Sequence, residues 1–283
     1  MAFELAWVTL TKEPLAPAMG APYLFWTPTT GNVARIKNDA TELNESFLTA
    51  AGVPRIAADA TYIYYTTTTG IGRAKHDGTE NVASWLELGV EPFGLIVTGT
   101  TIYWSRGSNI GRATIAGASA EAEWVKVGSA SEVRSLTQNG EHFYWTYSAG
   151  AEEHFLGRCS MTGTEVAKEW LNTEQFNFAI AANSAFIWLA PEPATYVSRV
   201  PTSGTGFVKE WLKDASEYGG FAWDSTYFYA TRYTAKTIAR MTLAEAGEGA
   251  KEGEKPVEKP KEEPKGEITV ALSQHGMVPR PLK

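Results

Sequence analysis

Short apolar runs separated by turn residues recur along most of this chain, and they predict strands rather than helices. One stretch shows the pattern in full. Residues 92–97 are apolar throughout, which suits a crowded interior. Residues 101–105 (Thr-Ile-Tyr-Trp-Ser) combine β-branched and aromatic side chains that fit a pleated, half-buried surface. Residues 109–115 and 122–127 supply a third and a fourth run, the last the most charged. Small turns punctuate them, as at Thr98-Gly99-Thr100 and Ala116-Gly117; one repeat earlier the second turn is Asp77-Gly78, which tolerates a tight hairpin.

The four-run unit repeats. An aliphatic residue, a small residue and an arginine occur together six times, at Arg35, Arg73, Arg112, Arg158, Arg199 and Arg240. A large aromatic follows the first five by twelve residues: Phe47, Trp85, Trp124, Trp170 and Trp211. A turn glycine follows four of them by five residues: Gly78, Gly117, Gly163 and Gly204. A period of about 40 residues built from four short strands predicts an all-β fold, a six-bladed β-propeller with one blade per repeat. The sixth arginine lacks its aromatic, since Glu252 stands there, whereas residues 3–10 read as an outer strand. The N-terminal strand is therefore expected to complete blade six and close the ring, removing an exposed sheet edge.

Ile102-Tyr103-Trp104-Ser105 with Ile110-Gly111-Arg112, and Phe143-Tyr144-Trp145-Thr146 with Gly157-Arg158, resemble the YWTD-type repeat of six-bladed propellers. The resemblance spans about residues 1–243, without the motif's aspartate, for which Thr66, Arg106, Tyr147 and Ala190 do not serve. It implies a propeller of the kind found in bacterial surface proteins and phage tail proteins, mostly binding modules; the related virginiamycin B lyase-like propellers are enzymes. The repeat speaks for the fold more than for the function, because sites are grafted onto folds.

Composition narrows the partners. A net charge of −7 argues against a nucleic-acid surface, which needs a basic patch. Cys159 is the single cysteine and falls where other repeats carry small or aliphatic core residues. The N-terminus does not read as a secretory signal, because Glu4 interrupts it, and no apolar run is long enough to insert in a membrane. Residues 244–266 are rich in Glu, Lys, Pro and Gly and read as an extended linker. Residues 267–283 begin with a strand-like alternation at Ile268, Val270 and Leu272, expected to dock on a partner by strand addition.

No catalytic set stands out, and neither a metal nor another cofactor is expected. His76, His142 and His154 fall at different repeat positions, and His275 lies in the tail, so they are expected at the surface and apart. Resemblance to six-bladed gluconolactonase-like enzymes, which hold a divalent metal over the channel with Glu and Asn or Asp side chains, would point to Asn177, Asn183 and Asp224, though they form no evident set. The repeated arginines and tryptophans are expected to do structural work within the blades. What varies is the loop between second and third strands, which lengthens in blades four to six. That places Tyr147, Glu152, Glu153, His154, Phe155, Tyr196 and Tyr233 on one side of a face, as the expected contact surface for a host glycan or protein. The expected function is a non-enzymatic structural or recognition part of a larger assembly, with a phage tail, hence the virion, as the leading case. A propeller enzyme of lyase or hydrolase type and a cytoplasmic interaction scaffold are the alternatives.

Overall fold

The computed structural model describes residues 4–50, 52–117, 120–128, 132–150, 153–193 and 195–248. The linker after residue 248, the tail with Ile268, Val270 and Leu272, and Glu152 lie outside the described residues. Six four-stranded antiparallel sheets are arranged in a ring, the first strand of each lying beside those of its neighbours. Blade one runs through Pro14–Gly20, Tyr23–Pro28, Val33–Lys37 and Asn44–Leu48. Blade two is Ile56–Ala58, Tyr62–Thr67, Gly70–Lys75 and Val82–Glu87, and blade three is Leu95–Thr98, Thr101–Arg106, Asn109–Thr114 and Glu121–Lys126. Blade four comprises Leu136–Gln138, His142–Ser148, His154–Ser160 and Ala167–Asn172; blade five comprises Asn177–Ala182, Phe186–Pro191, Tyr196–Pro201 and Val208–Lys213. Blade six takes Tyr218–Trp223, Tyr227–Arg232 and Thr237–Thr242 from late in the described residues and its outer strand, Glu4–Thr9, from their beginning.

Closure by the N-terminal strand is thus as expected. Val8 pairs with Ile238 and Glu4 with Arg240, antiparallel. Trp7 packs 5.3 Å from the Tyr229 ring and lies 5.0 Å beneath the Arg240 guanidinium. It fills the aromatic slot that blade six lacks in sequence.

The arginines do the structural work expected of them. The first five each stand over the aromatic twelve residues on, as Arg35 over Phe47 at 4.1 Å and Arg158 over Trp170 at 4.7 Å, a cation–π arrangement that lets a guanidinium be half-buried. Several also stitch one blade to the next. Arg35 donates to the carbonyl of His76 in blade two, and Arg73 to that of Ile115 in blade three at 3.2 Å. The paired aromatic ring rests on the same turn of the next blade: a Cβ on Gly204, whose φ is +85°, would lie 2.7 Å from the Trp170 ring. The spacing of arginine, glycine and aromatic therefore encodes the blade-to-blade joint. The small residue ahead of each arginine serves its own blade, since a Cβ on Gly111 would meet the Trp104 ring at 2.4 Å.

Where blade six lacks the turn glycine, a short helix, Leu243–Glu248, replaces the turn. Ala246 is buried against the cluster containing Trp211, and Arg199 donates to the carbonyls of Ala246 and Gly247 at 2.8 and 3.1 Å. Residues 244–248 are accordingly part of the propeller, not the start of a linker, because the joint between blades five and six needs their carbonyls.

Candidate functional site: the mouth of the ring

A propeller has two unlike faces. Here the loops between second and third strands and the connections between blades emerge on one, the loop face; the two hairpin turns of each blade emerge on the other. Of the side chains expected to form a contact surface, those among the described residues sit on the loop face but do not form one exposed cluster. The second and third strands of blade four pair beyond their expected ends, as Tyr147 with Phe155 and Ser148 with His154. Tyr147 is consequently buried, stacked 5.5 Å from Phe155, with its hydroxyl pushed up to about 12 by burial and then by Glu169. Tyr196 begins a strand, is buried, and donates to Gln175 Oε1. These two tyrosines pack blades rather than offer contacts, because the strand alternation continues through what read as loop. Glu153 is exposed at the hairpin tip, and His154 Nδ1 lies 2.8 Å from Ser148 Oγ, its ring edge-on to Phe176 at 6.0 Å. Tyr233 is half-buried, near Glu13, Glu217 and Glu192.

The mouth is built by residues leading into the first strands. In blades five and six the ladder between first and second strands continues past the strand ends: Glu192 N–H donates to the Phe176 carbonyl and Tyr233 N–H to the Glu217 carbonyl, at 2.9 and 2.7 Å. In blades two and four the equivalent stretches carry Arg55 and Arg134. These blades are not neighbours, yet Arg134 helps hold the Arg55 guanidinium down. Burial is the larger cause and lowers Arg55 to about 10, with Glu91 opposing the shift. Arg55 Nη1 donates to the Val53 carbonyl at 2.8 Å. Arg134 pairs with Glu132 and stands 5.1 Å from the Phe93 ring and 5.9 Å from that of Phe176.

Burial, and then the neighbouring Glu217, raises the Glu192 carboxyl above its ordinary value, with Arg134 pulling the other way. Burial raises the Tyr233 hydroxyl, followed by Glu13, Glu217 and Glu192 in turn. Glu13 is satisfied by Lys236 at 2.8 Å and Thr29 at 3.0 Å. This end therefore carries charges of both signs: guanidiniums from blades two and four, each with an acid beside it (Glu91 or Glu132), the Glu192 and Glu217 carboxylates from blades five and six, and phenylalanine rings beside Arg134. Sequence reasoning missed Arg55, Arg134, Glu192 and Glu217 as a group. The signal available was a charged residue just ahead of an apolar first strand, in Pro54-Arg55-Ile56 and Val133-Arg134-Ser135.

The residues weighed for a metal are spread out. Asn183 and Asp224 each accept two backbone N–H groups in the first hairpin turn of their blades, Asp224 also the Tyr229 hydroxyl at 2.7 Å. Asn177 is buried near the opposite face and donates to the Gln175 carbonyl at 2.8 Å. His76 and His142 lie on the turn side, His154 on the loop side, and all three are half-buried rather than freely exposed. Among the described residues, no three of His, Cys, Asp and Glu are grouped as a metal would need, and no helix is long and apolar enough to cross a membrane.

No family model and no curated protein matches the chain. Solved structures do. A gluconolactonase from Xanthomonas campestris is 12% identical with a TM-score of 0.62, the match covering 84% of this chain and 88% of that one. A catalytically inactive virginiamycin B lyase from Staphylococcus aureus, solved with quinupristin, is 16% identical with a TM-score of 0.55, covering 85% and 99%. A chain from a nidogen/laminin complex is 14% identical with a TM-score of 0.54, covering 69% and 78%. At these identities the likeness shows the propeller fold alone.

Proposed function

We propose that this propeller is a non-enzymatic recognition part of a larger assembly, and that the assembly is a phage tail. The loop face carries the recognition reading: it presents charges of both signs beside aromatic rings, in a fold whose similar structures include one solved in a complex of nidogen with laminin. The YWTD-like repeat, and a strand-competent segment following a Glu/Lys/Pro/Gly-rich stretch, support membership of an assembly. Quantitative mass spectrometry of particles purified from a lysate of the source is the test. The full chain is expected to co-purify with tail proteins, and a chain ending at residue 248 to be lost from them. A full chain that stays in the particle-free fraction refutes the assembly role. Glu192, a carboxylate with a raised pKa, favours one rival, a lyase or hydrolase working at the same mouth. Turnover of a lactone or a cyclic depsipeptide, abolished in Glu192→Gln, would establish that rival instead.

A further inference from the structure

Four blades open their first hairpin turn with an acid or its amide: Asp59, Asn139, Asn183 and Asp224. In blade two, Asp59 Oδ1 accepts the Thr61 and Tyr62 N–H groups, both at 2.7 Å, and Oδ2 accepts the Tyr64 hydroxyl at 2.8 Å. Asp224 treats Thr226, Tyr227 and Tyr229 in the same way in blade six. Blade four has the amide. Asn139 Oδ1 accepts the Glu141 and His142 N–H groups at 3.0 and 2.9 Å, but Nδ2 has to donate to the Tyr144 hydroxyl, at 3.3 Å. An aspartate there would let Tyr144 donate, as Tyr64 and Tyr229 do. The next residue is Gly140, and this is the one Asn-Gly pair in the chain. Gly140 is exposed at φ +92°, a Cβ built on it would meet nothing within 4 Å, and its N–H donates to the Gln138 side chain at 2.5 Å rather than to a ladder. Its nitrogen is thus uncrowded, beside an amide carbon whose oxygen two N–H donors polarise.

We propose that Asn139 is a self-modification site, converted to aspartate by its own backbone. The Gly140 nitrogen bonds to Asn139 Cγ and gives its proton to solvent; the Cγ–Nδ2 bond breaks, and the nitrogen takes a proton from water and leaves as ammonia. A second water opens the cyclic imide, giving aspartate or isoaspartate, with nothing oxidised or reduced. The fold selects between them. Aspartate keeps the main chain as it is, with Asn139 N–H on the His142 carbonyl at 3.2 Å, and supplies the acceptor that Tyr144 lacks. Isoaspartate inserts a methylene into the main chain of a tight turn and carries the carboxylate away from Tyr144. The two isomers interconvert through the imide, so aspartate accumulates. Blade five supplies the comparison. Asn183 accepts the Ala185 and Phe186 N–H groups at 2.8 Å each, yet Ser184 follows it, and Trp188 takes the strand position that Tyr144 holds in blade four. It has neither the bare glycine nor the hydroxyl.

Peptide mapping by mass spectrometry, on the full chain kept folded for weeks in mildly alkaline buffer, tests it. Asn139 should change from amide to acid about tenfold faster than Asn183 or more, the effect of a barrier lower by about 1.4 kcal/mol. Electron-transfer fragmentation, which separates the isomers, should find mainly aspartate. Tyr144→Phe removes the hydroxyl and keeps the ring; with a melting curve to show that it folds, it should convert as fast but shift the product toward isoaspartate. Asn139→Asp should melt no lower than the unaltered protein. The proposal falls if Asn139 keeps its amide, if it converts no faster than Asn183, or if isoaspartate dominates in the folded chain. An isomer ratio unmoved in folded Tyr144→Phe, or a lower melting temperature for Asn139→Asp, would equally overturn selection by the turn.

Discussion

Deleting residues 1–10 should cost this protein most of its stability, and the structure sets the scale. The strand Glu4–Thr9 buries Val8, and Leu10 just beyond it is 5% exposed. Leu5 and Trp7 are partly covered, against the clusters around Trp211 and Tyr229. Burying one large apolar side chain fully is worth about 1.5–3 kcal/mol, so Val8 and Leu10 together contribute roughly 3–6 kcal/mol. Polar losses add to this. The Leu5 carbonyl accepts from Arg232 Nη1 at 2.9 Å and Thr237 Oγ1 at 3.1 Å, the Leu10 N–H donates to the Lys236 carbonyl at 2.8 Å, and Glu4 pairs with the mostly buried Arg240 at 2.9 Å. Orphaning such groups costs about 1–3 kcal/mol for each one left buried and unpaired. Against a total stability of about 5–15 kcal/mol, the loss consumes most or all of it. Calorimetry and gel filtration of the shortened chain should show no cooperative transition near that of the full chain, together with association through the bared Thr237–Thr242 edge. A monomer melting within a degree or two of the full chain would refute the argument.

Other consequences are as direct. Ending the chain after residue 248 should leave the melting temperature unchanged. Ending it after residue 242 removes the carbonyls that Arg199 bonds and the Ala246 side chain on the core, and should lower the melting temperature by several degrees in circular-dichroism melts. Gly204→Ala should destabilise more than Gly99→Ala: both positions have positive φ, but only at Gly204 does the new methyl strike a ring, so urea titrations should separate the two by about 1 kcal/mol or more. Burial lowers the His76 pKa from 6.5, backbone carbonyls opposing only in part, and its Nε2 is buried without a partner. The folded state thus binds its proton less readily than the unfolded chain. Stability should be flat above about pH 6.5, decline as pH falls from there to the folded pKa, and level off below it. Denaturation between pH 8 and 5 should show that decline in the native protein and a shallower one in His76→Gln; equal slopes would exonerate His76.

Much of the fold was legible in the sequence because each blade repeats the same joint. Arginine, turn glycine and outer aromatic keep their spacing since one guanidinium must stack on its own blade and reach the next. The exchange of the sixth aromatic for Trp7 was legible for the same reason. The helix Leu243–Glu248 was not, because its short segment runs directly into charged sequence and is recruited by Arg199 from another blade. Tyr147 and Tyr196 read as loop residues because Ser, Ala, Gly and Pro nearby suggest turns, while the ladders continue through both tyrosines. The mouth was hidden for a different reason. Arg55, Arg134, Glu192 and Glu217 belong to no repeated motif, so no spacing in the sequence marks them.

That Leu5 and Arg232 bond each other across 227 residues of sequence has a consequence for how the protein is made. A ribosome adds roughly 5–20 residues per second, so the first strand waits on the order of 10–50 s before its partner is synthesised. During that interval five blades can pack in order from local contacts, each joint forming as the next turn emerges. The opening strand must stay unpaired throughout, and its single charge, on Glu4, is all that discourages a neighbouring nascent chain from capturing it. Synthesis on crowded polysomes therefore favours exchange of this strand between copies, and a chaperone that shields the first ten residues would protect the yield of closed monomer more than one acting on any later blade.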